Sequence, residues 1–337
     1  MIINKLQLQG LAAGVTLFVL FCGNVDAATL RVRVAHTESL THAVNVALLV
    51  FKYKVETLTN QIIEVEVLPE GRMGDDASLL EQVLLGEIQL SVIPIRLTLS
   101  MVPQAALAEM PFFFDNPKSG LGALNGDYSD ALFPLFEEKG LVPLAWVHYG
   151  SLAVIDADKP LHDPEDFNGL RINGPEDPLF YDSMRALGAV PSSLSGEPLT
   201  GAVENGDVQA LQIPLALVLE ANQEKINRFV TASFQSMDMG LLVANAAFWQ
   251  SLVPKFRAIL REASDDFEAV NRGYQVQQEV DLLRKAAARG LSVEVMDENQ
   301  RALFRQKMTP LYENWRHLLG PKWFDTFSNA LAEKDIY

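Results

Sequence analysis

Three segments decide the fold class of this chain: LRVRV (30–34), IEVEV (63–67) and IQLSV (88–92). In each segment apolar residues occupy every second position, which is typical of a strand with one buried face. Apolar residues at helical spacing fill the intervening stretches 44–58 and 79–84. Alternating strands and helices with short connections predict a parallel sheet covered by helices, so the chain is of the α/β class.

The second half of the chain continues in the same style. Its alternating segments predict further strands at 141–149, 153–156, 170–172 and 208–213, and its helical spacing predicts helices at 179–187 and 199–205. The longest helical pattern begins at Pro254 and ends at Gly290. A helix of about 36 residues is roughly 54 Å long, which is longer than one small domain is wide. We therefore expect this helix to cross two domains.

Length and charge narrow the possible functions. The chain has 337 residues, 49% of them hydrophobic, which is too long for one ordinary core and favours two domains. Its formal net charge is −16. Such a surface repels phosphate backbones and anionic lipid headgroups, so binding of nucleic acid through charge is excluded.

The N-terminus has the pattern of a secretory signal peptide, residues 1–27. Lys5 precedes an apolar stretch, 11–21, and small residues at Val25 and Ala27 fit cleavage after Ala27. Cys22 is the only cysteine, and its alternative role is a lipid anchor. After removal of the signal peptide the chain has no thiol, no disulfide and no apolar run long enough to insert into a membrane. These features predict a periplasmic protein.

Motifs for catalysis, cofactors and metals are absent from the sequence. No nucleophile is paired with a base, and no phosphate-binding loop occurs. His36 and His42 have no third ligand nearby in the sequence, so we expect no metal site. A secreted α/β protein without reactive groups is a binding protein rather than an enzyme, and we expect neither catalytic residues nor a cofactor.

A family resemblance runs over almost the whole mature chain. It rests on motifs whose order and spacing agree: 55–60, VEVLPEGRMG (65–74), 81–90, MPFFF (110–114), 159–170 and LGAVP (187–191). Through these motifs the chain resembles the solute-binding receptors of tripartite ATP-independent periplasmic (TRAP) transporters.

The resemblance implies a two-lobed periplasmic-binding-protein fold, each lobe a sheet flanked by helices, with a long helix spanning both. We expect lobe I at 28–152 plus about 241–275, and lobe II at 153–240 plus about 276–337. Such receptors close on a small molecule, usually an organic acid, and then dock on a membrane permease driven by an ion gradient. The expected partners are therefore a small-molecule ligand and the permease subunits.

The ligand-binding motif departs from the family pattern. Where the family usually has an arginine that pairs with the ligand carboxylate, this chain has Asn173, and two usually acidic positions are Gln209 and Gln212. A carboxylate buried without its arginine is strongly unfavourable. Amide groups can instead orient a neutral polar group, although they can equally bond within the protein. The sequence thus predicts a neutral or partly apolar ligand.

Further candidate contacts are Tyr149, Arg72, Met73, Arg96 and Asn245. Tyr149 either forms a wall of the site or simply packs against its neighbours, and the arginines follow strand ends.

Two alternative functions stay open at this point. One is an organic-acid receptor that uses another arginine, such as Arg171, Arg72 or Arg96. The other is a ligand-sensing receptor for a signalling partner, which neighbouring genes would distinguish from a transport receptor.

Overall fold

Residues 29–114, 117–156, 158–194, 199–215, 219, 229–233 and 236–334 are described by a computed structural model of the chain. The predicted signal peptide, including Cys22, lies outside these residues. The described strands are β1 (Leu30–Ala35), β2 (Ile63–Leu68), β3 (Leu90–Pro94), β4 (Leu141–Asp156), β5 (Arg171–Asn173), β6 (Val190–Ser192), β7 (Ala210–Pro214), β8 (Phe229–Ala232), β9 (Met237–Asn245) and β10 (Ser292–Val295).

Helices account for most of the rest of the described chain. They are α1 (Ala43–Leu58), α2 (Asp76–Leu85), α3 (Pro117–Leu124), α4 (Asp127–Glu137), α5 (Pro178–Ala186), α6 (Leu199–Glu204), α7 (Ala246–Ser251), α8 (Pro254–Ala288), α9 (Glu298–Lys307), α10 (Thr309–Leu319) and α11 (Pro321–Lys334). Short 3₁₀ helices occupy Ile95–Thr98, Pro103–Glu109 and Pro164–Phe167.

The strands form two sheets that share β4. The first sheet has the order β2-β1-β3-β9-β4, and β1 pairs in parallel with both β2 and β3. This confirms the α/β class expected from the three opening segments. The second sheet has the order β4-β7-β5-β6, with β8 beside β4 and β10 beside β8.

Strand β4 corrects one prediction. The segments 141–149 and 153–156, expected to be separate strands, form one strand of 16 residues. Its residues up to Ser151 pair with β9, and those from Leu152 onward pair with β7. The register with β9 shifts between His148 and Gly150, which lets the strand leave one sheet and enter the other.

Helix α8 spans both sheets, as the sequence predicts. It contains 35 residues and is about 52 Å long. Near its start Leu260 and Phe267 belong to the apolar core between α1 and the first sheet, which also contains Phe51 of α1 and Val34 of β1. Near its end Ala286 belongs to a separate core against the second sheet. The helix therefore connects two cores.

Between these two ends, α8 bonds the backbone of β4 through polar side chains. Asn271 Oδ1 accepts from His148 N at 2.7 Å, and Asn271 Nδ2 donates to His148 O at 3.1 Å. Glu268 accepts from the backbone N–H of Trp146 at 2.9 Å, and Glu279 accepts from that of Ser151. These side chains satisfy backbone groups on the edge of β4 that has no neighbouring strand there.

The C-terminal helices contact elements of both sheets. Trp315 of α10 donates to Asp182 of α5 at 3.1 Å, whereas Trp323 and Phe327 of α11 pack on the ring of Tyr128 in α4. The lobe boundaries given above stay a prediction, because α10 and α11 contact helices from both predicted lobes.

Gly150 lies where β4 changes sheets, and its conformation suits only glycine. Its φ is +135°, and an added Cβ would lie 2.7 Å from Gln275 Nε2 of α8. We expect Gly150→Ala to lower the free energy of unfolding by about 1–3 kcal/mol, measured by urea denaturation. Gly273→Ala is the matched control because its Cβ meets nothing within 4 Å on α8. There alanine should stabilise by about 0.5–1 kcal/mol. Equal effects of the two changes would contradict this account.

Asn271 gives a second test of the α8–β4 contact. Asn271→Ala leaves the buried N–H and C=O of His148 without these partners, so we expect a loss of about 2–4 kcal/mol in unfolding free energy. Gln277→Ala, at an exposed position of the same helix, should change stability by less than about 0.5 kcal/mol. A loss at Asn271 as small as that at Gln277 would show that the contact is dispensable.

Candidate functional site

A cavity of about 380 Å³ opens between the two sheets. Arg96, which follows β3, and Asp238 of β9 line it from the first sheet. Asn173, the last residue of β5, and Gln212 of β7 line it from the second. The cavity thus lies beyond the carboxyl ends of parallel strands, where ligands of α/β sheets usually bind.

Much of the cavity wall is apolar. The apolar lining residues are Pro111, Leu152, Pro175, Leu179, Phe180, Met184, Leu194, Ile213, Pro214 and Met237. A few polar groups in a mainly apolar cavity are typical of a site for a small organic molecule.

Asn173 lines the cavity, but its side-chain oxygen already takes part in hydrogen bonds within the protein. The Oδ1 atom accepts from Leu194 N at 2.6 Å and lies 3.3 Å from Ser192 Oγ. The side chain therefore holds the segment after β6 against β5. Its amide nitrogen remains the group that can donate to a ligand.

Gln212 lines the cavity with an unused acceptor. The residue is only 6% exposed, and its Oε1 has no hydrogen-bond partner among the described residues. A buried carbonyl oxygen without a donor is unfavourable.

Arg96 is the one basic residue among the described residues of the lining, and carboxylates already surround it. Its Nη2 lies 3.1 Å from Asp76 Oδ2, and its Nη1 lies 3.7 Å from Asp238 Oδ1. The charge of Glu109 acts on it as well. Its positive charge is thus compensated by the protein before any ligand binds.

Three carboxyl groups line the cavity together with Arg96. Burial raises the pKa of Asp238 to about 6. The charges of Asp76 and Asp177 also raise this pKa, whereas the charge of Arg96 lowers it. Burial and the charge of Asp238 raise the pKa of Glu109 well above its usual value, although Glu109 accepts from Met239 N at 2.8 Å. Burial also raises the pKa of Asp177, which accepts from Leu179 N at the start of α5.

Sequence reasoning missed these three acids. Each resembles a solvated surface residue when read in the sequence, and only the folded chain shows that they surround one cavity. A signal was available for Asp238, because an acid between two methionines in an apolar segment is unusual.

Two predicted contacts have structural roles instead. Asn245 begins α7, where its Oδ1 accepts from Phe248 N at 2.8 Å and its Nδ2 donates to Val83 O at 2.9 Å. Gln209 accepts from Arg171 N at 3.2 Å, beside the junction of β5 and β7. Neither is among the described residues of the lining.

The remaining three predicted contacts also lie outside the described lining. Arg72 is exposed in the loop after β2, and Met73 packs against the core while its carbonyl accepts from Gln82. Tyr149 is 7% exposed and packs where a Cβ at Gly240 would lie. Burial raises the pKa of Tyr149, and the charges of Asp76 and Asp238 act in the same direction.

The two histidines considered for a metal have other partners. His36 Nε2 lies 3.2 Å from Asn45 Oδ1, and burial lowers the pKa of His36 to about 4. His42 accepts from Val44 N at the start of α1. Within the described parts of the chain, no group of three or more His, Cys, Asp or Glu residues could hold a metal ion.

None of the helices in the described part of the chain is both long and apolar enough to cross a bilayer.

Known proteins are similar to this chain in sequence and in fold. Residues 34–317 match the family described as bacterial extracellular solute-binding protein, family 7. A solute-binding protein of Roseobacter denitrificans is 25% identical, with 90% of this chain and 88% of that protein covered. The C4-dicarboxylate-binding periplasmic protein of Rhodobacter capsulatus is 22% identical, with 84% and 85% covered.

A solved structure shows the same architecture. A TRAP periplasmic solute-binding protein of Ochrobactrum anthropi superposes with a TM-score of 0.88 at 20% identity, covering 92% of this chain and 97% of that one. At this identity the likeness establishes the fold, which is two-lobed as the sequence predicts.

Burial of Asp238 predicts a pH effect on stability. Its pKa is about 6 in the fold against an ordinary 3.8, so the folded chain binds this proton more tightly than the unfolded chain does. The free energy of unfolding should therefore fall as pH rises from 3.8 to about 6. Asp238→Asn removes this contribution and should flatten the curve in urea denaturation at several pH values. Asp207→Asn, at an exposed turn, should keep the wild-type slope. An unchanged slope in Asp238→Asn would show that this carboxyl is not perturbed.

Proposed function

The chain belongs to bacterial extracellular solute-binding protein family 7, the solute-binding proteins of TRAP transporters, which is a transport family and not an enzyme family. From this premise we propose that the protein captures a small, partly apolar solute without net negative charge in the cavity between its sheets. It delivers the solute to an ion-gradient-driven permease from the periplasm, after export by the signal peptide 1–27.

Hinge closure is the proposed mechanism. β4 and α8 both run from the first sheet to the second, so the two lobes can rotate about these connections. A ligand that contacts residues of both sheets binds the closed state better and shifts the population toward it. The proposed lobes are 28–152 plus about 241–275, and 153–240 plus about 276–337.

The compensated charge of Arg96 carries the proposal about the ligand. A carboxylate entering the cavity would meet this guanidinium already beside Asp76 and Asp238. It would also approach Asp177, so repulsion would offset any gain from Arg96. Neutral solutes, which the sequence favours, are one group within the proposed class.

The carboxylate alternative depends on Arg96 as well. The relative from Rhodobacter capsulatus is named for C4-dicarboxylates, and Arg96 does line the cavity. Arg171 is exposed and donates to Gly206 O at 2.7 Å, and neither it nor Arg72 is part of the described lining. A ligand-sensing receptor would use the same cavity, and the genes beside this one decide between sensing and transport.

A thermal-shift screen tests the proposed function. Purified protein is melted with a library of carboxylates, sugar acids, alcohols, amines and other small metabolites. A true ligand at 100 times its dissociation constant adds about 2.7 kcal/mol of stability and raises the melting temperature. We expect the solutes that raise it to be non-anionic, and native mass spectrometry of the purified protein should find such a molecule if one remains bound.

Arginine variants sharpen this screen. Arg171→Ala should leave every ligand response unchanged, because its side chain bonds the backbone outside the cavity. If only carboxylates raise the melting temperature, and Arg96→Met or Arg171→Ala abolishes that response, the organic-acid alternative is correct. If no solute responds and no bound molecule is found, the receptor function itself is in doubt.

A further inference from the structure

The described lining of the cavity holds three carboxyl groups and one guanidinium. Asp238 reaches it from β9, Glu109 from the end of a 3₁₀ helix, and Asp177 from the start of α5. The three carboxyl groups come from three different elements. The fold therefore brings them together, and they do not form a local run of acidic sequence. Their charges act on one another, which places them within one electrostatic environment.

A second observation points to hydrogen-bond donors on the ligand. Gln212 lines the same cavity, its side chain is buried, and its Oε1 has no partner among the described residues. A carboxylate ligand has no proton to give this oxygen, whereas an ammonium group has three. The unused acceptor and the excess of carboxyl groups over basic groups therefore both favour a ligand with an ammonium-like group.

Apolar lining defines the other end of that molecule. Leu152, Phe180, Met184 and Ile213 face the same space, so the ligand has a hydrocarbon part as well as a charged one. A bare metal ion does not fit this surface.

We propose that the ligand is an organic amine that presents an ammonium or amidinium group to Glu109, Asp177 and Asp238 and an apolar body to the apolar residues of the lining. This assignment rests on the proposed function, since it names the chemistry of the same site. Arg96 then acts as an internal counter-ion that holds Asp238 in position, and does not contact an anion on the ligand.

Matched probes with one skeleton and three charges test the assignment. Calorimetric titration is performed with 2-phenylethylamine, 2-phenylethanol and phenylacetate, and with the corresponding cyclohexyl compounds. We expect the amines to bind at least tenfold more tightly than the alcohols, because hydrogen bonds between charged partners are the stronger ones. The carboxylates should not bind measurably.

The possible failures are distinguishable. If the alcohols bind as tightly as the amines, the assignment is wrong and the proposed function stands. If the carboxylates bind most tightly, the assignment and the proposed ligand class are both wrong. If no amine binds, the assignment is overturned, while the metabolite screen still decides the receptor function.

Variants locate the effect. Asp238→Asn keeps the shape of the side chain and removes its charge, so affinity for the amines should fall at least tenfold while affinity for the alcohols changes by less than twofold. Asp177→Asn is the second variant, in case the first does not fold, because asparagine can still accept from Leu179 N at the start of α5. Asp207→Asn, exposed and far from the lining, should bind all probes as wild type does. Equal losses for amines and alcohols would indicate a merely structural role.

The pH profile supplies an independent readout. The groups that act on Asp238 are Arg96, Asp76, Asp177 and Glu109, and its pKa is about 6. Because an ammonium group is held by the ionised carboxylate, amine affinity should rise as pH increases from 5 to 7.5, whereas alcohol affinity should stay flat. An amine affinity independent of pH would overturn the assignment.

Discussion

The contact between α8 and the backbone of β4 is the constraint on which the two-lobed fold depends. A strand that leaves one sheet and enters another must expose backbone N–H and C=O groups at the crossing, where no neighbouring strand can pair with them. Here Asn271 and Glu279 of α8 supply those partners. The same helix ends in an apolar core on each side, so the crossing is bonded through side chains while each core stays intact.

Side chains make a more adaptable connection than a strand ladder would. A ladder fixes the neighbouring strand in register, whereas Asn271 and Glu268 can keep their bonds through small rotations about their own side-chain angles. In the proposed mechanism this permits the lobes to rotate without breaking either core. It also explains why the junction contains polar residues where a single-domain protein would have apolar ones.

The sequence predicted the parallel pairing of β1 with β2 and β3 correctly because the information there is local, whereas β9, which it did not predict, pairs antiparallel with β3 and β4. In 30–34 and 63–67 the alternation of apolar and polar residues specifies a strand without reference to the rest of the chain. β4 was predicted as two strands because Gly150 and Ser151 interrupt its pattern. Helix α8 stabilises the strand there. Its residue Asn271 bonds the backbone of His148, which lies 123 positions away in the sequence. No local pattern contains that partner.

The candidate site shows the same difference between what a local sequence pattern predicts and what only the folded chain decides. Asn173, Gln212 and Arg96 were named as candidates on family motifs and strand ends, and all three line the cavity; their contact with a ligand stays a prediction. Gln209 and Asn245 have the same chemistry, but hydrogen bonds within the protein use their side chains, and such pairing is decided only by the folded chain. Asp177 and Glu109 were missed for the converse reason, since an acid in an acidic sequence gives no sign that it will be buried, whereas the apolar neighbours of Asp238 did give such a sign.

The charge of the protein and the charge of its cavity act in the same direction. A surface of net charge −16 attracts cations and slows the approach of anions at low salt, and the acids of the cavity continue that preference at short range. Closure of the lobes around an empty cavity would bring Asp177, at the start of α5, toward Asp238 of β9, and their repulsion opposes that step. A cation between them removes the repulsion, whereas a carboxylate adds to it. Under the proposed assignment the receptor therefore rejects anions by failing to close on them, as well as by binding them weakly when open.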